Sequence, residues 1–343
     1  MGKKTTIYDI AKRLNTTAST VSRALNNSPK ISKKTKDLVL ETANKMNYQQ
    51  NKLALALKSG KSNNVGVIVP RIDSNFFASI IKGIEENLYA HGYRVIICQT
   101  QNNQNIEVEI INTLLKAQVD GILMSISSIN LDTKNSFNRI LQKQIPLIFF
   151  DRKANIKDVS SVTINDFEAG YMATKHLINQ GCKKIAHLSG NILLDIFNNR
   201  FLGYKKALEE EGIEFNKAYV LKIRSTVKDG QNAAKQLLKL RNPPNGIFSS
   251  SDYAALGAIQ EIKANGIKIP GDIKVVGFAN EPFTKFMELS ISTIDQSPVE
   301  MGKIAANVFL QQSNNSENTK IEKNVVLAPK LIIRKSSLKH PNE

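Results

Sequence analysis

The chain has no tryptophan, only two cysteines, ten prolines among 343 residues and 6% aromatic residues. Cys98 and Cys182 lie apart, with no CxxC and no Cys/His grouping, which excludes a disulfide framework and a thiolate metal site. Both read as small buried hydrophobes in a reducing compartment. No run of eighteen apolar residues occurs, so no membrane-spanning helix is expected. The lysine-rich start runs straight into amphipathic sequence, without the apolar core and small-residue cleavage site of an export signal. A cytoplasmic protein is therefore expected. The four histidines, His91, His176, His187 and His340, are scattered, and neither a GxxxxGK[ST] loop nor a GxGxxG turn follows the first apolar run. Catalytic residues, metal ligands and a bound cofactor are accordingly not expected.

Negative charge is also scarce: 30 Asp and Glu face 47 Lys and Arg, for a net +17. The excess is uneven. Residues 1–60 carry twelve Lys and Arg against Asp9, Asp37 and Glu41, a net +9 in less than a fifth of the length. A polyanionic partner belongs to this end. The full length suits two or three domains with sizeable cores.

Within that basic segment Ile7, Ile10, Ala11 and Leu14 recur at i, i+3, i+4 and i+7, and Val21, Ala24 and Leu25 repeat the spacing, giving two short amphipathic helices. Asn15 and Thr16 supply a turn and Thr17 a hydroxyl that can cap the second helix, which leaves Ala18 and Ser19 in its first, exposed turn. Such positions enter a major groove in a helix-turn-helix. A third helix is expected from Ser32, with Leu38, Val39, Thr42, Ala43 and Met46 as its apolar stripe. Residues 51–60 follow as a very short run of helix formers closed by Gly60, too short to hold a helix in water without a partner.

From residue 64 onward apolar strand-like runs (65–69, 95–98, 121–124, 147–150, 161–164, 184–188, 246–249 and 274–278) alternate with helical segments that stop near Gly92, Gly181, Gly212 and Gly266. That alternation signals parallel sheets with helices on both faces.

The segments Thr-Ile-Tyr-Asp-Ile-Ala, Thr-Val-Ser-Arg-Ala-Leu-Asn, Asn-Lys-Leu-Ala-Leu-Ala-Leu-Lys-Ser and Val-Gly-Val-Ile-Val-Pro occur in the order and spacing of the lactose-repressor/galactose-repressor (LacI/GalR) family of bacterial transcription regulators, which the chain resembles over nearly its whole length. The resemblance implies a small all-α helix-turn-helix domain (residues 1–48), a hinge helix and linker (49–62), and an α/β bilobed periplasmic-binding-protein-like domain of two doubly wound parallel sheets (63–343). The first lobe is expected over about 63–163 and 292–323 and the second over about 164–291 and 324–336. Interlobe crossings are expected near 163–165, 290–292 and 322–325. The resemblance further implies a homodimer on a palindromic double-stranded DNA operator. Nine residues after Arg334 are too few for a heptad tetramerisation helix.

By the same resemblance Ala18 and Ser19 read base edges, Arg23 contacts guanine, and Thr6, Tyr8, Thr17, Ser22, Asn26 and Lys33 position the backbone. Leu57 matches the leucine that wedges into the minor groove, with Ala54 beside it. Leu55 departs from the Arg or Gln common in the family, which removes a polar contact there.

The matching effector contacts are Asp73, Ser74, Asn75, Phe76, Phe77, Asn165, Asp166, Arg200, Ser251, Asp252, Ala279 and Asn280. Three departures weaken hydroxyl recognition: Ala279-Asn280 stands for Asp-Asp, Ser251 for Asn, and Asn165 for a carboxylate. The expected effector is a sugar or sugar derivative, with an anionic sugar phosphate or an oligosaccharide fragment fitting at least as well as a free monosaccharide. A repressor released by ligand is expected, the alternative being a catabolite-type regulator that needs a co-repressor metabolite or a phosphoprotein partner. A solute-binding protein or an enzyme on the same fold is the remote alternative.

Overall fold

A computed structural model describes residues 5–49, 60–127, 131–314 and 322–338. The expected hinge helix, with Ala54 and Leu57, lies outside the described residues, as does His340. The chain divides into two compact units, Met1–Ser62 and Asn63–Glu343.

The first unit contains α1 (Ile7–Arg13), α2 (Ala18–Leu25) and α3 (Lys33–Lys45). Each begins on a hydroxyl that accepts from the backbone three residues on: Thr6 from Asp9, Thr17 from Thr20 and Ser32 from Thr35. At α1 the Asp9 carboxylate returns to the Thr6 N–H at 2.8 Å, completing a capping box. Ile10, Ala11, Val21, Ala24, Val39 and Ala43 are buried together as the core. Leu38 departs from the stripe expected of it: it is 50% exposed, because the buried face of α3 runs through Val39, Thr42 and Ala43 and its neighbour at 38 points off that face.

The second unit is bilobed. Its first sheet is built from β1 (Asn64–Val69), β2 (Arg94–Gln99), β3 (Gly121–Met124), β4 (Leu147–Phe150), β5 (Ser160–Ile164) and β11 (Asn324–Leu327), in the order β11-β5-β4-β3-β1-β2 and parallel throughout. The second sheet is built from β6 (Ile185–Ser189), β7 (Val220–Lys222), β8 (Gly246–Ser249), β9 (Lys274–Phe278), β10 (Ser292–Asp295) and β12 (Lys330–Ile332), in the order β12-β10-β9-β8-β6-β7 with only β12 antiparallel. Near-continuous burial of the inner strands β1, β3, β4, β5, β6 and β9 reflects helices on both faces. The helices of the first lobe are α4 (Asn75–Ala90), α5 (Gln104–Lys116), α6 (Leu131–Gln142) and α12 (Pro298–Ser313). Those of the second are α7 (Asp166–Asn179), α8 (Asp195–Glu210), α9 (Val227–Leu238), α10 (Asp252–Ala264) and the single turn α11 (Phe283–Phe286).

Two expected crossings are corrected. Residues 292–295 pair with β9 and β12 and so belong to the second lobe, and the chain returns to the first only afterwards, at 296–297. Likewise 324–327 pairs with β5 in the first lobe, so the last crossing falls at 328–329. A short apolar run does not reveal which of two sheets it joins, since register and partner are set by distant strands. The first crossing falls at Asn165, between β5 and α7.

Three helix pairs meet through a glycine on each partner: Gly83 with Gly302 between α4 and α12, Gly170 with Gly203 between α7 and α8, and Gly230 with Gly257 between α9 and α10. A Cβ at Gly170 would sit 2.1 Å from the Arg200 carbonyl oxygen, so this approach needs glycine. It also brings the start of α7 against the second turn of α8, which builds part of the cleft.

Candidate functional site

In the first unit α2 buries Val21 and Ala24, and Ala18 and Leu25 pack against the same core. Ser19, Arg23 and Asn26 are exposed, while Ala18 and Ser22 are half-buried. No acid among the described residues pairs with Arg23, whereas Asn26 Nδ2 donates to the Ser22 carbonyl at 2.8 Å, closing the helix end. Thr6 and Thr17 are exposed caps, Tyr8 is 72% exposed on α1, and Lys33 is exposed at the start of α3. Of the expected reading positions Ser19 and Arg23 are on the solvent side while Ala18 packs partly on the core, and the helix caps are satisfied internally.

In the second unit a cavity of about 730 Å³ lies between the lobes. Its walls are loops and helix starts that follow strand carboxyl ends in both sheets, beside the points where strand order reverses: β1 and β3 in one sheet, β6 and β8 in the other. Of the expected effector residues, Phe76, Phe77, Arg200, Ser251 and Asp252 line it, with Ser74 and Ala279.

The structure places the others elsewhere. Asp73 is exposed and pairs with Arg71, which itself lines the cavity, at 2.7 Å. Asn75 is exposed on α4. Asn165 caps α7 by accepting from the Glu168 N–H at 3.0 Å. Asp166 faces a separate cavity of about 70 Å³ and braces Arg200. Asn280 is tied up by Asp295 at 2.6 Å and Arg334 at 2.8 Å.

Arg200 sits in the second turn of α8, which starts at Asp195. Its Nε donates to Asp166 Oδ1 at 2.7 Å, and its guanidinium stacks 3.6 Å from the Phe278 ring centre. Both side chains of the pair are 5% exposed. Burial pushes the Asp166 carboxyl up to about 6 even against the Arg200 charge. The guanidinium is therefore held rigidly with its Nε committed, and its terminal nitrogens are the part left to meet a ligand.

Asp252 is similarly engaged. It accepts from the Glu281 N–H at 2.8 Å and the Thr293 hydroxyl at 2.7 Å, and the bare face of Gly277 makes room for its carboxylate. Burial raises it to about 7. Asp252 fixes the loop after β9 and the strand β10.

Reading the sequence left out Asp151 and Arg152, directly after β4. Asp151 accepts from Ser125 Oγ at 2.9 Å, and Arg152 donates to Asn102 Oδ1 at 2.7 Å. Applying the strand-end rule to every apolar run would have found both. Gln296 follows β10, a strand not expected from sequence, and its buried Oε1 has no protein partner among the described residues. Four arginines, Arg71, Arg152, Arg200 and Arg224, line the cavity against Asp151, Asp252 and Glu281, and burial raises all three of these carboxyls.

Outside the cleft, His187 stacks on Phe248 and Tyr204 and is pushed down to about 3 by burial, so it is neutral packing. Cys182 is buried and its thiol raised to about 11, which makes it unreactive. Among the described residues no helix is long and apolar enough to cross a membrane, and no cluster of metal-ligating side chains occurs.

The family pattern described as periplasmic binding proteins and sugar binding domain of LacI family matches residues 62–332, and that described as bacterial regulatory proteins, lacI family, matches residues 6–51. The chain is 32% identical to the HTH-type transcriptional regulator DegA of Bacillus subtilis (strain 168), over 97% of this chain and 98% of that one. It is 31% identical to the HTH-type transcriptional repressor PurR of Haemophilus influenzae (strain PittEE), over 96% and 98%. The solved transcriptional regulator CelR–cellobiose complex superposes with a TM-score of 0.72 at 25% identity, covering 97% of this chain and 100% of that one.

Proposed function

The chain belongs to the bacterial LacI family of DNA-binding transcriptional regulators, which are not enzymes, and from that premise we propose that it is a cytoplasmic repressor that binds a palindromic operator as a homodimer and answers to a small molecule in the interlobe cleft. One observation carries the DNA half of this reading: α2 turns Ser19, Arg23 and Asn26 outward over a core of Val21 and Ala24, in the most basic part of the chain. Two such helices related by a two-fold axis fit successive major grooves about one helical turn apart. Arg23 is the base-reading side chain. Ala18 and Ser19 make shorter contacts, Thr6, Tyr8, Thr17, Ser22, Asn26 and Lys33 hold the phosphates, and Leu57 with Ala54 takes the central step.

The effector is a carbohydrate derivative that carries negative charge. Four arginines line the cleft, of which Arg71 and Arg200 are paired with Asp73 and Asp166, and burial makes Asp151, Asp252 and Glu281 give up their charge more easily than in water. Phe76, Phe77 and Phe278 supply apolar faces for a ring. Arg200 is the central donor, braced from behind the wall by Asp166, while Asn280 ties Asp295 to Arg334.

The test is selection of bound duplexes from a random pool by purified, ligand-free protein. Recovery of a near-palindrome is the expected result. Enrichment of nothing until a metabolite or a partner protein is added supports the co-repressor alternative, and enrichment of nothing under any condition overturns the reading.

A further inference from the structure

Helix α4 opens without a cap of its own. Ser74 has the extended backbone of an N-cap (φ −95°, ψ 128°), but its hydroxyl makes no hydrogen bond to the following turn. The first N–H groups of a helix have no intrahelical acceptor, so this end is left short. The Ser74 hydroxyl donates instead to Glu281 Oε1 at 3.4 Å, a residue 207 positions away on the loop after β9 in the other lobe. Burial raises the same carboxyl, and the backbone of Phe76 and Asn75 at this helix end works in the opposite direction. Glu281 is 3% exposed and forms part of the cleft wall.

We propose that Glu281 is a positioning residue for cleft closure: its carboxylate, carried by the second lobe, caps the N-terminus of α4 in the first and latches the two lobes together across the cavity. A negative group at a helix N-terminus is favoured both by the unpaired N–H groups and by the helix dipole. The loop does not depend on this side chain for its own shape. The Glu281 N–H is held by Asp252 at 2.8 Å, and its carbonyl accepts from the Thr284 N–H at 2.9 Å and from the Thr284 hydroxyl at 2.6 Å. The backbone is pinned within one lobe while the side chain reaches into the other, as an interlobe tie requires. Burial raises the Glu281 carboxyl, so closure carries a desolvation cost that offsets part of the latch. A ligand in the cleft then acts on a closure equilibrium already biased by the protein itself. The inference goes beyond the proposed effector and holds whatever molecule occupies the cavity.

Hydrogen exchange of the ligand-free, full-length chain tests it. In Glu281→Ala the peptide that spans the first turn of α4 is expected to exchange about five- to tenfold faster than in the unaltered protein. The peptide over 279–287 should stay unchanged, and Glu281→Gln, which keeps an acceptor but no charge, should fall between. A merely structural role would instead accelerate 279–287 and the strands around it. Unaltered exchange at the start of α4 in Glu281→Ala overturns the proposal, as does acceleration spread evenly over the second lobe. Should Glu281→Ala fail to fold, Glu281→Gln decides alone: faster exchange confined to the start of α4 supports the latch, and none overturns it.

Discussion

The DNA-facing unit and the interlobe cleft solve opposite problems with the same side-chain chemistry. In the small unit each helix is capped from its own sequence, by Thr6, Thr17 and Ser32, and the reading side chains are left to solvent. In the cleft the polar groups are spoken for by distant partners: Arg200 by Asp166, Asp252 by Thr293, Asn280 by Arg334, and Ser74 by Glu281. DNA is a stiff polyanion that supplies its own field of acceptors, so its reader does best to keep free donors on a rigid, locally satisfied frame. A small ligand has to alter something. A cleft whose contacts tie one lobe or helix to another gives it bonds to exchange.

The contrast sharpens first at Arg200. Arg200→Ala leaves Asp166 buried without its counter-ion, and the second unit should lose about 3 to 5 kcal/mol, read as a drop in the urea midpoint with the slope kept. The small unit's weak point is packing rather than charge. With six residues in its core, Ile10→Ala should cost about 2 to 5 kcal/mol and abolish DNA binding, while leaving the melt of the second unit in place.

Acid titration separates the two units next. Glu107 is buried, accepts from the Ser127 N–H at 2.7 Å, and is raised from 4.5 to about 7 by desolvation. A carboxyl with a folded pKa above its unfolded one binds its proton more tightly when folded. Its contribution is fully present below about pH 4.5 and is lost as pH rises towards 7. Stability of the second unit should therefore fall across that window, and Glu107→Gln should flatten the fall. The small unit, whose three acids are none of them buried, should show no such slope.

Smaller effects are expected at the surface. Arg23→Ala should remove about 1 to 3 kcal/mol of discrimination between the selected operator and a scrambled duplex, measured by anisotropy at fixed salt. Thr17→Ala deletes a cap worth about 1 kcal/mol and should lower the melting point of the small unit, with base preference intact.

The same contrast explains what was legible in the sequence. Caps and core of the small unit follow from residues three or four apart, so the helices and Thr17 as a cap could be read directly, and only Leu38 was assigned to the wrong face. The alternation of strand and helix likewise gave most strands of the bilobed unit. What escaped was long-range. The strands β7, β10 and β11 are three or four residues long, and the lobe that each of the last two joins is settled by partners elsewhere in the chain. The start of α8 carries no capping signal, since its N-cap is Leu194. Asp166 and Asn280 look like ligand contacts by position, yet the structure spends them on Arg200, Asp295 and Arg334. Glu281, in contrast, carries no local signal at all, because its partner lies 207 residues away.

Anisotropy of the selected duplex across a panel of sugars and sugar phosphates tests most directly whether occupancy of the cleft is coupled to DNA affinity. One compound that binds the protein should change operator affinity by about 5- to 150-fold, and the duplex should change that compound's affinity by the same factor. A compound shown to bind in the cleft, with operator affinity the same whether it is absent or saturating, would contradict the account.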